Sequence, residues 1–352
     1  MNKREFSNIF INPLYGEKSH LNKIDTDIYD EILDLSDRFL ISSQILNNLI
    51  YKKGLQNALI DGLKEQSNIS NLKNLINKKE VLKIADLFNK NEIKYVFLKG
   101  SAINVMSNKY VRYSRDLDVL VNESSLSKAY ELLKGIGYKY LNPLVSDSSE
   151  FTKHSYHLPV LSNDDGGLLE IHFRVTDRLI YQECPITESM LNQIIKVNKN
   201  GININISDTN HLIAHIIYHA ALHHKFDMGP VFLYDIKYLI NKINSKKDLL
   251  DLLQKMNLDK IYKDICGFID DKRKTDIFNL YEMSNLKEKN KREPKRFNYL
   301  LLTKKGRSDF LNIILRRFTK NEDLYQTSKY SIKFYFILLI EFKNHCLRLR
   351  KS

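Results

Sequence analysis

Between residues 26 and 64 the apolar positions Ile28, Ile32, Leu33, Leu35, Leu40, Ile41, Ile45, Leu46 and Leu49 recur at helical spacing with few breakers, which predicts one or two leading helices. Residues 71–91 predict a further helix. It stops where residues 94–98 supply a short apolar run rich in β-formers, the signature of a buried strand. A short helix is expected over residues 102–108, a second strand over 117–121, and an amphipathic helix over 125–136 closed by Gly137. Strands at 157–161 and 168–175 flank the turn sequence Ser162-Asn163-Asp164-Asp165-Gly166-Gly167, which predicts a hairpin. Alternation over 201–206 closes this region.

From Asp208 onward strand signals fade. Helices rich in Leu, Ile, Tyr and Lys are expected to the C-terminus, with a charged, exposed connection at residues 287–296. The pattern predicts an α+β protein, a mixed β-sheet flanked by helices, organised as an N-terminal helical segment (1–80), a core (81–206) and a C-terminal helical domain (207–352). No repeat of solenoid length is visible.

Composition narrows the class only a little. At 352 residues the chain is long enough for two or three packed units, and 43% hydrophobic with 28% charged residues is the balance of an ordinary globular protein. A net charge of +13 favours anionic partners such as nucleotides, nucleic acid, acidic peptides or an anionic membrane. The same excess accompanies a Lys-, Asn- and Ile-rich, Trp-free composition, so charge selects no ligand. Cys184, Cys266 and Cys346 lack C-x-x-C spacing, which argues against a disulfide framework or zinc knuckle and for a reducing, cytoplasmic setting. The N-terminal residues hold no apolar stretch of signal-peptide length. The longest apolar run, 334–340, is far short of the roughly 20 residues that span a bilayer. Bracketed by Lys333 and by Lys343, Arg348, Arg350 and Lys351, it reads as a packed terminal helix with a solvated basic end rather than a helix lying on a membrane.

The chemistry concentrates after residue 98. A predicted strand runs into Lys99-Gly100-Ser101, and the later segment YSRDLDVLV carries Asp116 and Asp118 among apolar residues. Residues two apart on a strand share a face, so both carboxylates can converge on one hard cation such as Mg²⁺. Gly100 permits the close backbone approach that a phosphate needs, and Ser101 offers a hydroxyl and an amide at the start of the next helix, whose positive end favours anions. Glu170, within LLEIHFRV, is an acid among apolar neighbours and would be costly to bury unless it faced a metal or partner.

A Gly-Ser pair, then hydrophobic-Asp-hydrophobic-Asp, then an acidic residue on a neighbouring strand resembles the polymerase-β-like nucleotidyltransferase superfamily. More narrowly, LKG, RDLDVLV, LEIHF and a later H-x-x-x-H helix followed by Tyr234-Asp235-Ile236 resemble the bacterial NTP_transf_5 family, over roughly residues 80–240. The resemblance implies that Asp116 and Asp118 hold two Mg²⁺ (or Mn²⁺) ions on the phosphates of a nucleoside triphosphate donor, with Glu170 assisting the catalytic metal and activating an acceptor hydroxyl. Transfer of a nucleoside monophosphate, AMP from ATP by preference, to a hydroxyl on a small molecule, peptide or protein, with release of pyrophosphate, would follow. Glutamate replaces the superfamily's more usual third aspartate.

Lys99 and Arg115 flank the phosphate and metal positions and are suited to neutralise a triphosphate; either can equally point outward, and Arg115 is the better constrained in direction. His172 shares the face of Glu170 and is expected either to hydrogen-bond the carboxylate or acceptor, or to be a satisfied core histidine. His211, His215, His219 and His223 recur every four residues along a helix. A zinc site is one reading, though no carboxylate or Cys completes an H-E-x-x-H pattern. The favoured one, drawn from the resemblance, has His215 and His219 lining an acceptor cleft with Asp235 packed nearby. Two other functions stay open. One is a catalytically silent, nucleotide-sensing or antitoxin-like binding module; the other is an enzyme that adds nucleotides to RNA ends, against which stands the lack of a recognisable aromatic and basic RNA-binding motif.

Overall fold

The computed structural model describes residues 5, 7–52, 57–107, 112–141, 155–176, 186–224, 226 and 228–270. The expectations placed on Cys184, Cys346, residues 287–296 and the basic terminal segment lie outside these residues. No described helix is long and apolar enough to cross a membrane.

The leading segment pairs two short parallel strands, β1 (Ser19–His20) and β2 (Leu49–Ile50), around helices α1 (Tyr29–Arg38) and α2 (Ser42–Asn48). Helix α3 then runs unbroken over Ala58–Lys90. Sequence periodicity had split this stretch in two, at polar residues 65–71. The helix continues because its N-terminus is secured by Asn57, whose Oδ1 accepts from the Leu59 amide at 3.0 Å, and because Gly62 lets α1 lie against it. A Cβ at Gly62 would sit 2.7 Å from the Leu33 methyls.

The remaining elements alternate. They are β3 (Tyr95–Phe97), α4 (Lys99–Met106), β4 (Leu117–Val121), α5 (Leu126–Gly135), β5 (Lys139–Tyr140), β6 (Leu161–Ser162), β7 (Leu168–His172), α6 (Thr187–Asn192), β8 (Ile194–Lys199) and β9 (Ile202–Ser207). Helices α7 (Thr209–Tyr218), α8 (Val231–Ile240), α9 (Lys246–Lys255) and α10 (Asp259–Asp270) follow, with a π-helical turn, His219–His223, between the first two.

Seven strands form one mixed sheet in the order β5-β6-β7-β4-β3-β9-β8. β4 is parallel to β7 and β3 to β9, and the other pairings are antiparallel. Every residue of β3 and β4 is buried, as expected for strands covered on both faces. The protein is thus α+β with a helix-flanked mixed sheet. The predicted strand at 157–161 shrinks to β6, with His157 making only an isolated bridge to His172, but the predicted hairpin across residues 162–167 is present. Helix α4 begins at Lys99 and takes Gly100 and Ser101 into its first turn, three residues before the expected start. β8 was not foreseen. Its signal lies in the Asn200-Gly201 pair, both at positive φ (53° and 79°), a two-residue hairpin turn.

Buried apolar residues from Ile9 to Ile269 form one continuous cluster. Against it, α3 buries a polar stripe, Ser70, Asn74, Asn77 and Glu80, at helical spacing. Asn77 donates to the Ser114 carbonyl at 2.9 Å, which holds the chain leading into β4. Glu80, fully buried, accepts from Tyr138 Oη and from Asn163 Nδ2, both at 2.7 Å, tying α3 to the β6–β7 turn. Replacing Glu80 by Ala strands both donors, so E80A is expected to lose about 2–4 kcal/mol in urea unfolding, and E80Q, which keeps an acceptor, markedly less. Equal losses for the two variants would refute the assignment.

Candidate functional site

Strand register brings the acids together. Asp118 stands opposite Glu170 and Leu120 opposite His172 in the β4–β7 ladder. Glu170 and His172, two residues apart, share a face. The imidazole closes on both acids, with Nε2 2.9 Å from Asp118 Oδ1 and 3.4 Å from Glu170 Oε2. Lys99 Nζ donates to the same Asp118 oxygen at 2.8 Å. Asp118 and His172 are buried and Lys99 nearly so, so the charges face one another with little water between.

The electrostatics follow from that crowding. Burial alone would push Asp118 toward its neutral form, but Lys99 and His172 outweigh it and hold the carboxyl well below the usual range. Glu170 is likewise pushed up by burial and brought down to about 2, chiefly by the His172 hydrogen bond and the neighbouring His157. Burial disfavours protonation of His172, yet its bonds to Asp118 and Glu170 raise it above an ordinary histidine. Lys99 is lowered by burial and raised more strongly by Asp118 and Glu170. Asp116 goes the other way. Burial, then the charges of Asp118 and Glu170, push its carboxyl up to about 7 against the pull of Lys99 and Arg112.

Asp116 does not lie on β4. The strand begins at Leu117, and Asp116 occupies the preceding bend, half-buried, where the chain comes off the Asn77–Ser114 bond. The expected same-face alternation with Asp118 along a strand is therefore replaced by a bend that leaves Asp116 at the edge of the cluster. At this cluster the tight donor set is Asp118, Glu170 and His172, one donor atom each within 4.8 Å of one another. Two ionised carboxylates and an imidazole suit a divalent cation such as Mg²⁺ or Mn²⁺, the nitrogen favouring Mn²⁺. The donor chemistry and the spacing of Asp118, Glu170 and His172 fit such a cation, which would also relieve the repulsion that, after burial, raises Asp116.

Beside the acids lies the start of α4. Lys99 has φ +46°, the left-handed region, which costs a non-glycine residue of order 1–3 kcal/mol and is the kind of strain that gathers at functional loops. Gly100 sits in tight space: a Cβ there would lie 3.0 Å from Ser114 Oγ and 3.4 Å from Arg112 Cζ, so those side chains would have to give way. Ser101 Oγ accepts from the Asp118 amide at 3.2 Å, leaving its proton available to a ligand. The first-turn amides of this eight-residue helix and its dipole favour an anion at this end.

Arg115 does not join the cluster. It is half-exposed and turns to Asp37, 3.7 Å away on the leading segment. The cation that does approach Gly100 is Arg112, which sequence reasoning missed. Asn104 fixes its backbone, accepting from the Arg112 amide at 3.0 Å and donating to its carbonyl at 2.6 Å, and Asp235 Oδ2 lies 3.3 Å from its Nε. A legible signal was Asp235 itself, an acid in the apolar run VFLYDIKYLI that needs a cation; it was expected packed near His215 and His219, and it pairs with Arg112.

Tyr156 and His157 were also missed, His157 having been read only as the start of a strand. The Tyr156 ring lies 5.6 Å from that of His172 and 5.4 Å from that of His223, bridging the carboxylate cluster to a layer of histidines. His157 lies 5.2 Å from His172, with its Nδ1 2.6 Å from the Leu158 carbonyl. His211 is taken up locally by Asp208 and Ser189. His215 is buried with no partner for Nδ1, its ring 6.2 Å from that of His219. Burial pushes both His215 and His219 well below the ordinary histidine value.

Comparison with known proteins gives four findings. The chain is 28% identical over 101 residues to the lincosamide resistance protein of Staphylococcus haemolyticus, a match covering 28% of this chain and 63% of that protein. Among solved structures, it superposes on the antibiotic-resistance factor ANT(2'')-Ia at 12% identity and TM-score 0.38, covering 51% of this chain and 92% of that one. It also superposes on an antigenic nucleotidyltransferase-like protein from Paracoccidioides brasiliensis at 18% identity and TM-score 0.35, covering 52% and 89%. Both are distant likenesses. The sequence profile of NTP_transf_5, described as uncharacterised nucleotidyltransferases, matches residues 30–270, extending to both sides of the segment that carried the sequence resemblance. The chain therefore belongs to this nucleotidyltransferase family.

Proposed function

We propose that the protein transfers a nucleoside monophosphate, AMP from ATP by preference, to a hydroxyl of a small molecule and releases pyrophosphate. The observation that carries this reading is the register pairing of Asp118 with Glu170 directly beside the α4 N-terminus, an anion cradle facing a cation site. The match to a lincosamide resistance protein makes a lincosamide the first acceptor to try.

Asp118 and Glu170, with Asp116 at the edge, would hold Mg²⁺ or Mn²⁺, which when bound stabilises charge on the transferring phosphoryl oxygens. The chain's own groups do the rest. The α4 amides and the Ser101 hydroxyl bind and orient the phosphates, and Arg112, positioned by Asp235 and Asn104, supplies a fixed cation over Gly100. Lys99 keeps Asp118 ionised. Glu170, held at about 2, is too acidic to accept a proton readily, so the role of base falls elsewhere. His157 fits it. Its Nδ1–H donates to the Leu158 carbonyl, which leaves Nε2 as the acceptor nitrogen, and burial holds its imidazole below the ordinary value, in the neutral form.

The central test is incubation with each α-labelled NTP, Mg²⁺ or Mn²⁺, and lincosamide or hydroxylated small-molecule acceptors. Label should move to an acceptor in wild type and fall by about 10²–10³ or more in D118N and E170Q. Retained transfer in both variants would sink the carboxylate assignment. H157Q is expected to lower kcat by about 10²–10⁴ while nucleotide binding is unchanged, and an unaltered kcat would remove His157 from the reaction.

The raised carboxyl of Asp116 has a thermodynamic consequence. In metal-free protein the native state keeps a proton on this group up to about pH 7, whereas the unfolded chain releases it near the ordinary carboxylate value. Native stability from this group is thus present at low pH and is lost as pH rises through about 7. Urea unfolding in EDTA should show D116N gaining on wild type as pH rises from 5 to 8, at about the interval those values set. A pH-independent difference would contradict the assignment.

A further inference from the structure

The turn after α7 is wound as a π-helix, and that winding assembles three histidines. The His224 amide bonds to the His219 carbonyl at 2.9 Å, an i to i+5 bond that sets the two residues one above the other. On an α-helix, residues five apart would point about 140° from each other. Here His219 Nε2 and His224 Nε2 are 3.1 Å apart, and His223, one turn from His219, brings a third ring, stacked at 5.4 Å on that of His219. One ring nitrogen from each lies within 4.8 Å of the others.

We propose that His219, His223 and His224 form a binding site for a borderline divalent transition-metal ion of the zinc type, separate from the carboxylate cluster.

The distances suit the ion. Two nitrogens at about 2.0–2.1 Å from a tetrahedral centre are about 3.3 Å apart, close to the spacing of His219 and His224, which requires little movement of either ring. Tyr156 Oη, 3.1 Å from His223 Nε2, fixes the third ring in the way outer partners orient metal-binding histidines. An all-nitrogen set selects a borderline ion over Mg²⁺, and three protein ligands leave a fourth position for water or a substrate oxygen. Sequence spacing suggested zinc on the stripe 211, 215, 219, 223. The structure draws the site differently, with His224 in place of the two histidines that α7 directs elsewhere.

Full-length protein stripped with EDTA and titrated with Co²⁺ should take up one ion with the visible absorption of a nitrogen-ligated centre, undisturbed by excess Mg²⁺. H219Q and H224Q should each weaken binding by more than about 100-fold, since even outer partners of a metal site are worth about 10–100-fold. Their thermal transitions in EDTA report whether they fold. H224C, which restores a ligand, should regain binding and add a thiolate-to-Co²⁺ charge-transfer band. D118N, which alters the carboxylate cluster, and H20Q, at an exposed histidine, should bind as wild type. No absorption, binding unchanged in both Gln variants, or binding lost in D118N would each overturn the site.

Discussion

Like charges in a buried sheet repel unless something positive stands among them, and the centre of this protein is built around that constraint. Asp118 and Glu170 are adjacent in register and largely shut away from water. They remain ionised because Lys99 and His172 both reach the same Asp118 oxygen. The pairing is not a stability device in the first place. Desolvating these ionised groups consumes most of what their attraction returns, so the arrangement is one that the proposed cation and phosphate site would explain.

The scaffold bears the cost of keeping that field in place. Lys99 reaches Asp118 from a left-handed backbone conformation, and Gly100 leaves room for Arg112 and Ser114 to pass close by. Behind them, the polar stripe of α3 holds the approach to β4 through Asn77 and the β6–β7 turn through Glu80. One helix therefore governs both the loop that carries Asp116 and the hairpin that carries Glu170.

Much of this was legible in the sequence, for physical reasons. An acid flanked by apolar residues, as at Asp118 and Glu170, is costly enough that it must have a partner, and period-2 and period-3.6 patterns located the strands and helices around it. What failed were features that depend on distant chain. The approach to β4 is held by a bond from Asn77 on α3 to the Ser114 carbonyl, 37 residues on in sequence. Whether Arg112 or Arg115 faces the cradle is decided by Asp235 on one side and Asp37 on the other. The π-turn is a backbone choice that side-chain periodicity does not encode, and α-helical spacing gave no sign that His224 comes to lie against His219. Asn200-Gly201 was a readable signal passed over in favour of the alternation that follows it.

The parallel ladder between β4 and β7 also makes chain length a chemical variable. Asp118 meets Glu170 only because Leu117 is level with Leu169. A single-residue shift of β7 would set an apolar side chain opposite Asp118 and turn Glu170 toward the other face of the sheet. The turn at residues 163–166, locked by the Asn163 side chain on the Gly167 amide and on Glu80, therefore acts as a gauge. It holds Ser162 opposite Leu168, and through Glu80 it ties this hairpin to the helix that also holds the approach to β4.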